Sequence, residues 1–220
     1  MNTLAVRNLD YMRTDETMSS SEPVMKWGRI GKLTNFSYSF QYGKAYLLES
    51  TANGGGWSLS WIIGGLIEQT NGTIERDGFE YARVERRKDA WCIRHETSPK
   101  NLFWEPSVIS QIRHGLKLAN NQFLQSEEEL INRIGLSPER YKRPLRQLSH
   151  EAWRASCAIG MAFGKSIYCF PYMSPDYLEH YPDFKGIINL LKESSALVLL
   201  PTKATLDING WFDEIVQLPI

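Results

Sequence analysis

The sequence predicts an α/β fold, and three observations carry that prediction. Apolar runs with strand character alternate with segments of helical periodicity along the chain. A glycine-rich stretch, TANGGGWSLS (51–60), joins the apolar run AYLLES (45–50) to the helical segment SWIIGGLIEQ (60–69). Residues 105–147 then turn to continuous helical periodicity, as an inserted helical subdomain would.

The elements follow in order. TLAVRNL (3–9) reads as a strand, and the polar stretch TDETMSSSEP (14–23) as a loop. NFSYSF (35–40) alternates polar and aromatic residues, the period of a half-buried strand. QYGK turns the chain into the strand at 45–49. NGTIERDG (71–78) holds a short strand between turn signals. FEYARV (79–84) and AWCIRH (90–95) are two more expected strands, with ERRKD as a charged turn between them. Ser126, three residues before Glu129, matches a capping box at the start of a helix. LSHEAWRASCAIGMAFGK reads as a helix rich in small residues. IYCFPYM (167–173) follows as a strand, DFKGIINLLKE (183–193) as a helix, ALVLLPT (196–202) as a strand and GWFDEIVQL as the last strand.

Composition narrows the function classes. The 220 residues carry 25 Lys+Arg and 25 Asp+Glu, so the basic excess of a nucleic-acid binder is absent. Hydrophobic residues make up 42%, enough for a buried core. Among all 220 residues there is no apolar run of the length a membrane helix needs, and MNTLAVRNLDYMRTDE lacks a secretory apolar region. The expected location is therefore cytoplasmic. Cys92, Cys157 and Cys169 are scattered, and His95, His114, His150 and His180 form no ligand-spaced cluster. Reduced, packed thiols are expected, with no metal site and no zinc.

Strand, glycine-rich loop and helix is also the arrangement of a phosphate-binding loop, whose backbone N–H groups at a helix start attract phosphate. The element order and four motifs resemble the ATPase domain of ATP-binding-cassette (ABC) transporters, in the P-loop NTPase superfamily. FSYSFQYGKAYLLESTANGGGWSLSWIIGGLIEQTNGTIERDG resembles the family's P-loop region, and LSHEAWR (148–154) its signature. IYCFPYMS (167–174) sits where the Walker B strand belongs, and LLPTKAT (199–205) at the switch. The separations agree with such a domain: Trp57 to Ser149 is 92 positions, Ser149 to Pro171 is 22, and Pro171 to Lys203 is 32. The resemblance covers roughly residues 3–218. It implies an N-terminal antiparallel β subdomain beside the main sheet. It also implies one domain over 1–220: the β subdomain and loop region at 3–95, a helical subdomain at 105–147, and the signature helix with the remaining core at 148–220.

The same alignment shows departures. Trp57 stands at the lysine that reaches the β and γ phosphates. Thr51 replaces the first glycine. Pro171 and Tyr172 replace the Mg²⁺-holding aspartate and the glutamate that polarises water. Lys203 replaces the switch histidine, and His150 and Glu151 the signature glycines. The glutamine position falls at His95 or Glu96. Trp27 or Tyr11 are candidates to stack on adenine, with core packing as the plainer reading of each. Trp61, Trp91 and Trp104 read as packing residues. Asn53, Gly54, Gly55, Gly56, Trp57 and Ser58, with Ser149 facing a partner's nucleotide, are the residues the resemblance assigns to ATP. Binding is expected to be weak, Mg²⁺ is expected to lack its carboxylates, and no residue is assigned to catalysis.

Three functions follow as expectations. The first is a degenerate, hydrolysis-incompetent subunit that pairs with an active ATPase subunit and a membrane permease, peripheral on the inner face of the membrane. The second is a regulatory or scaffold protein with the same fold, its loop filled by Trp57. The third is a working ATPase with relocated carboxylates such as Glu49, Glu96 or Asp176.

Overall fold

The computed structural model describes residues 2–12, 31–50, 54–93, 105–119, 126–148, 151–181, 183–205, 208 and 210–219. Two sheets organise the chain. Strands β1 (Thr3–Tyr11), β2 (Leu33–Gln41), β4 (Asn71–Arg76) and β5 (Phe79–Glu80) form an antiparallel sheet in the order β2-β1-β4-β5. Strands β3 (Ala45–Glu49), β6 (Ala90–Cys92), β7 (Ile167–Cys169), β8 (Leu197–Thr202) and β9 (Glu214–Gln217) form a parallel sheet in the order β6-β7-β8-β3-β9. The expected antiparallel subdomain and α/β sheet are both present.

Strands β3, β6, β7 and β8 are buried on both faces, as crossover helices require, while the edge strand β9 buries only Val216. Their side chains alternate between two cores. Ala45 and Leu47 of β3, Val198 and Leu200 of β8, and Tyr168 beside Phe170 enter one. Tyr46, Leu48, Leu197, Leu199, Ile167 and Cys169 enter the other. The first core is closed by helices α3 (Val108–Ala119), α4 (Glu127–Ile134), α6 (Ala152–Ala162) and α8 (Asp183–Glu193). The second is closed by the antiparallel sheet and by α1 (Gly55–Ile63). Every residue of α1 is buried, which suits a helix apolar all round.

The helical block also holds α5 (Pro138–Tyr141) and a 3₁₀ turn at Leu145–Gln147. The Ser126 hydroxyl accepts a hydrogen bond from Glu129 N–H at 3.1 Å, so the expected N-cap of α4 is present. Cys92, Cys157 and Cys169 are free and buried.

Three expectations need correction. ERRKD is not a turn: Arg83–Asp89 is helix α2, and strand β5 covers only Phe79–Glu80. Glu85 accepts from Ala82 N–H at 3.2 Å at the helix start, and the buried Arg86 guanidinium donates to Tyr81 C=O at 2.6 Å. The helix read over 60–69 begins at Gly55 and stops at Ile63. Gly65 then takes φ +70°, and Arg83 donates to the carbonyls of Gly65 and Leu66 at 3.0 and 2.7 Å. The strand read over 167–173 ends at Cys169, two residues before Pro171, which has no N–H for a ladder. A short helix that the periodicity did not reveal, α7 (Pro175–Glu179), follows.

Candidate functional site

In an open parallel sheet, ligands gather at the carboxyl ends of the strands. β3 is an interior strand there, paired with β8 and β9, and the chain runs from its end through the glycine-rich stretch into α1. Ser50 N–H donates to Thr202 C=O at 2.9 Å, tying the loop's first described residue to the end of β8.

Gly54 caps α1 in an extended conformation, without a side-chain cap. Two glycines follow because space demands them. A Cβ on Gly55 would sit 2.5 Å from Leu33 Cδ2 and 2.8 Å from Lys32 C=O. One on Gly56 would sit 2.7 Å from Ser50 Cβ and 3.3 Å from Leu218 Cδ1. Gly56 N–H donates to the Ser50 hydroxyl at 3.3 Å. The helix start, the pole of the dipole that favours anions, is thus walled by Ser50, Leu218 and the segment entering β2.

Trp57 lies in the apolar core and meets Trp61 edge-on with ring centroids 4.7 Å apart. Its indole N–H is buried without a hydrogen-bond partner among the described residues. Ser58 is fully buried, and its hydroxyl donates to Gly31 C=O at 2.7 Å. Ser60 donates to Phe170 C=O at 3.2 Å, binding α1 to the end of β7. The described part of the loop is thus held by packing, and the Trp57 side chain belongs to the core.

Facing it, the end of β7 carries no charge up to Tyr172. Phe170 is buried, and Pro171 and Tyr172 are half-buried. Burial pushes the Tyr172 phenol up, helped by the negative charges of Asp176 and Glu49, so it stays neutral. Glu49 accepts from Ala204 N–H at 3.1 Å. Asp176 and Lys203 are exposed. Among the described residues, no group of three or more His, Cys, Asp or Glu could hold a metal ion.

Tyr11 is buried in β1 and belongs to the core, the plainer of its two readings. Trp61 and Trp91 pack as expected, with Trp91 Nε1 donating to Ser156 Oγ at 3.0 Å. Glu151 forms an ion pair with Arg140 at 3.1 Å. Arg154 binds Asp183 at 2.9 Å and Gly135 C=O at 3.1 Å. Trp27, Thr51, Asn53, His95, Glu96, Trp104, Ser149 and His150 lie outside the described residues. The reading from sequence missed Gly31, Lys32 and Leu33 at the helix start. Gly31 is 27 positions from Ser58, and no local signal links the two.

No protein-family model matches the chain. The methionine import ATP-binding protein MetN of Bacillus subtilis (strain 168) is 26% identical over 144 residues, which make up 62% of this chain. The match spans 42% of the length of that relative. Among solved structures, an ATP-binding subunit of an ABC transporter superposes with a TM-score of 0.65 at 18% identity, covering 98% of this chain and 85% of its own. An ATP-binding protein of a putative ABC transporter from Pyrococcus furiosus gives 0.65 at 16% identity, covering 98% and 97%. A dimeric ATP-binding cassette in a post-hydrolysis state, with ADP and phosphate bound, gives 0.66 at 14% identity, covering 98% and 94%. Sheet order and these likenesses converge: the chain has the fold of an ABC transporter ATPase domain.

Proposed function

We propose that this chain is an ATP-binding-cassette subunit of an ABC-type transporter that does not hydrolyse ATP by itself. It acts by pairing with an active ATPase subunit beside a membrane permease, on the cytoplasmic face. The observation that carries the reading is the burial of Trp57 in the core at the position of the P-loop lysine. Phosphoryl transfer rests on positioning and on neutralising charge at the γ-phosphate. Each oriented charge of that kind is worth roughly 10²-fold or more in rate. Here the lysine is a buried indole, and Pro171 and Tyr172 supply no carboxylate.

ATP as the ligand class is supported by the names of the relatives and by the ADP and phosphate in one neighbour. The N–H groups of Gly54 to Ser58 would hold its phosphates, with Ser149 meeting a partner's nucleotide. Mg²⁺ finds less: the Ser58 hydroxyl already donates to Gly31. Pairing is supported by the dimeric neighbour and by one from Clostridium perfringens described as part of a transporter complex. The division at 3–95, 105–147 and 148–220 belongs to the same proposal. Among the described residues no helix is long and apolar enough to cross a membrane.

The Ser58–Gly31 hydrogen bond and the packed Trp57 favour one second reading, a scaffold whose loop holds its own chain. Calorimetry with ATP, with and without Mg²⁺, separates the two, with tryptophan fluorescence in parallel. Micromolar affinity with a fluorescence response supports the paired nucleotide-binding subunit. No binding at millimolar ATP supports the scaffold. Steady-state turnover of the chain alone near one per second, abolished by a bulky residue at Gly56, sinks both.

A further inference from the structure

An open cleft of about 590 Å³ lies between the β4–β5 hairpin and α2. Phe79 is in its lining and is 78% exposed, the highest value among the large apolar side chains of the described residues. Val84, in the first turn of α2, is 66% exposed. An apolar ring left open in a cleft can be covered by the stem of a partner's long side chain.

The charges say which partner. Arg76, also in the lining, is already engaged: its guanidinium is 2.8 Å from the Asp89 carboxylate and lies over the rings of Tyr42 and Tyr81. Asp77 accepts from Thr3 N–H at 2.8 Å, and Glu85 from Ala82 N–H at 3.2 Å. Both donors are neutral backbone groups, so these bonds pair neither carboxylate with a cation. Glu80 stands directly opposite Glu75 across β4 and β5. Like charges at that spacing repel. Glu75 has a cation in Arg7 at 3.0 Å, whereas no ion pair joins Glu80 among the described residues. Among the lining side chains the carboxylates of Asp77, Glu80, Glu85 and Asp89 outnumber the cations Arg76 and Lys88, so the lining is net negative, although the buried Arg86 guanidinium also feels the charge of Glu80.

We propose that this cleft docks a basic segment of a protein partner. An arginine or lysine head pairs with Glu80 and relieves its repulsion with Glu75, while its stem lies on Phe79. The cleft is separate from the glycine-rich loop, so the outcome of ATP binding does not bear on it.

The test titrates the full chain into a labelled peptide of alternating arginine and leucine, and into its glutamate counterpart, at low salt. Fluorescence anisotropy reads binding. The arginine peptide is expected to bind, and added salt to weaken it. Glu80→Lys should weaken binding about tenfold, and Phe79→Ala about threefold. Glu128→Lys makes the same charge change on an exposed position of α4 and should leave affinity within about twofold. Phe79 and Glu80 are both exposed, so these variants should keep the fold, which circular dichroism verifies. Equal weakening by Glu80→Lys and Glu128→Lys would reduce the effect to diffuse charge and overturn the proposal. Preference for the glutamate peptide, or no binding of either, would overturn it as well.

Discussion

The two ends of the parallel sheet carry opposite chemistry. At the amino ends, Lys44 pairs with Glu214 at 2.8 Å, Tyr38 donates to the same carboxylate at 2.6 Å, and Lys192 pairs with Asp213 at 2.8 Å. Asp213 also accepts from Ala45 N–H at 2.8 Å, clamping the start of β3. At the carboxyl ends lie the buried Trp57 and the half-buried Pro171 and Tyr172, with Glu49 held by Ala204 N–H and Lys203 exposed. The difference teaches that charge here is placed where it joins strands, and the glycine loop is held by packing.

The sharpest way to break that comparison is to put charge back. Trp57→Lys removes an indole from the core and leaves an ammonium among apolar neighbours. It should cost about 3 kcal/mol or more in urea unfolding and confer no turnover. A stable variant with gained ATPase activity would mean that the loop is a phosphate site that lost only its lysine.

A smaller effect should come from the other end. The Lys44 and Tyr38 hydrogen bonds hold Glu214 below the usual carboxylate range. Burial pushes Asp213 up, but its hydrogen bonds from Lys192 and Ala45 outweigh that and leave it lowered. Both folded-state values lie below the unfolded ones, so their stabilisation is complete above the unfolded values. It fades as pH falls through the folded values, in a window opening near pH 4. The urea midpoint should drop on acidification below that point, and Asp213→Asn should flatten the drop while costing about 1 kcal/mol at pH 7. An unchanged acid slope in Asp213→Asn would move the origin of the effect elsewhere.

The smallest effect is expected at Lys203, exposed just beyond the end of β8. Lys203→Ala should change stability by less than about 0.5 kcal/mol and leave ATP affinity unaltered. A clear loss of affinity would restore a charged group to the carboxyl end and weaken the contrast.

Much of the architecture was legible because it rests on local period. The helix at 183–193 matches α8 end to end, and the strands at 45–49 and 35–40 lie on or within β3 and β2. Alternation on a strand and capping by Ser126 are set by near neighbours. The ERRKD segment was misread because its charges pattern like a turn, while its helix is held by Arg83 and Arg86 reaching the loop after α1 and Tyr81. At the site, the absence of lysine and acids was legible residue by residue. Where Trp57 goes was not, since its neighbours are defined by sheet packing.

The sequence by itself thus determined the class of fold and the residue types, Trp57, Pro171 and Tyr172, on which the proposed loss of hydrolysis rests. Those properties reside in residue type and short-range spacing. Only the tertiary structure decided that Gly31 takes the Ser58 hydroxyl, that Leu33 and Leu218 wall the glycines, and that Glu80 faces Glu75 across the hairpin. These contacts join residues distant along the chain, or set a strand register, and they exist only once two sheets have closed around α1.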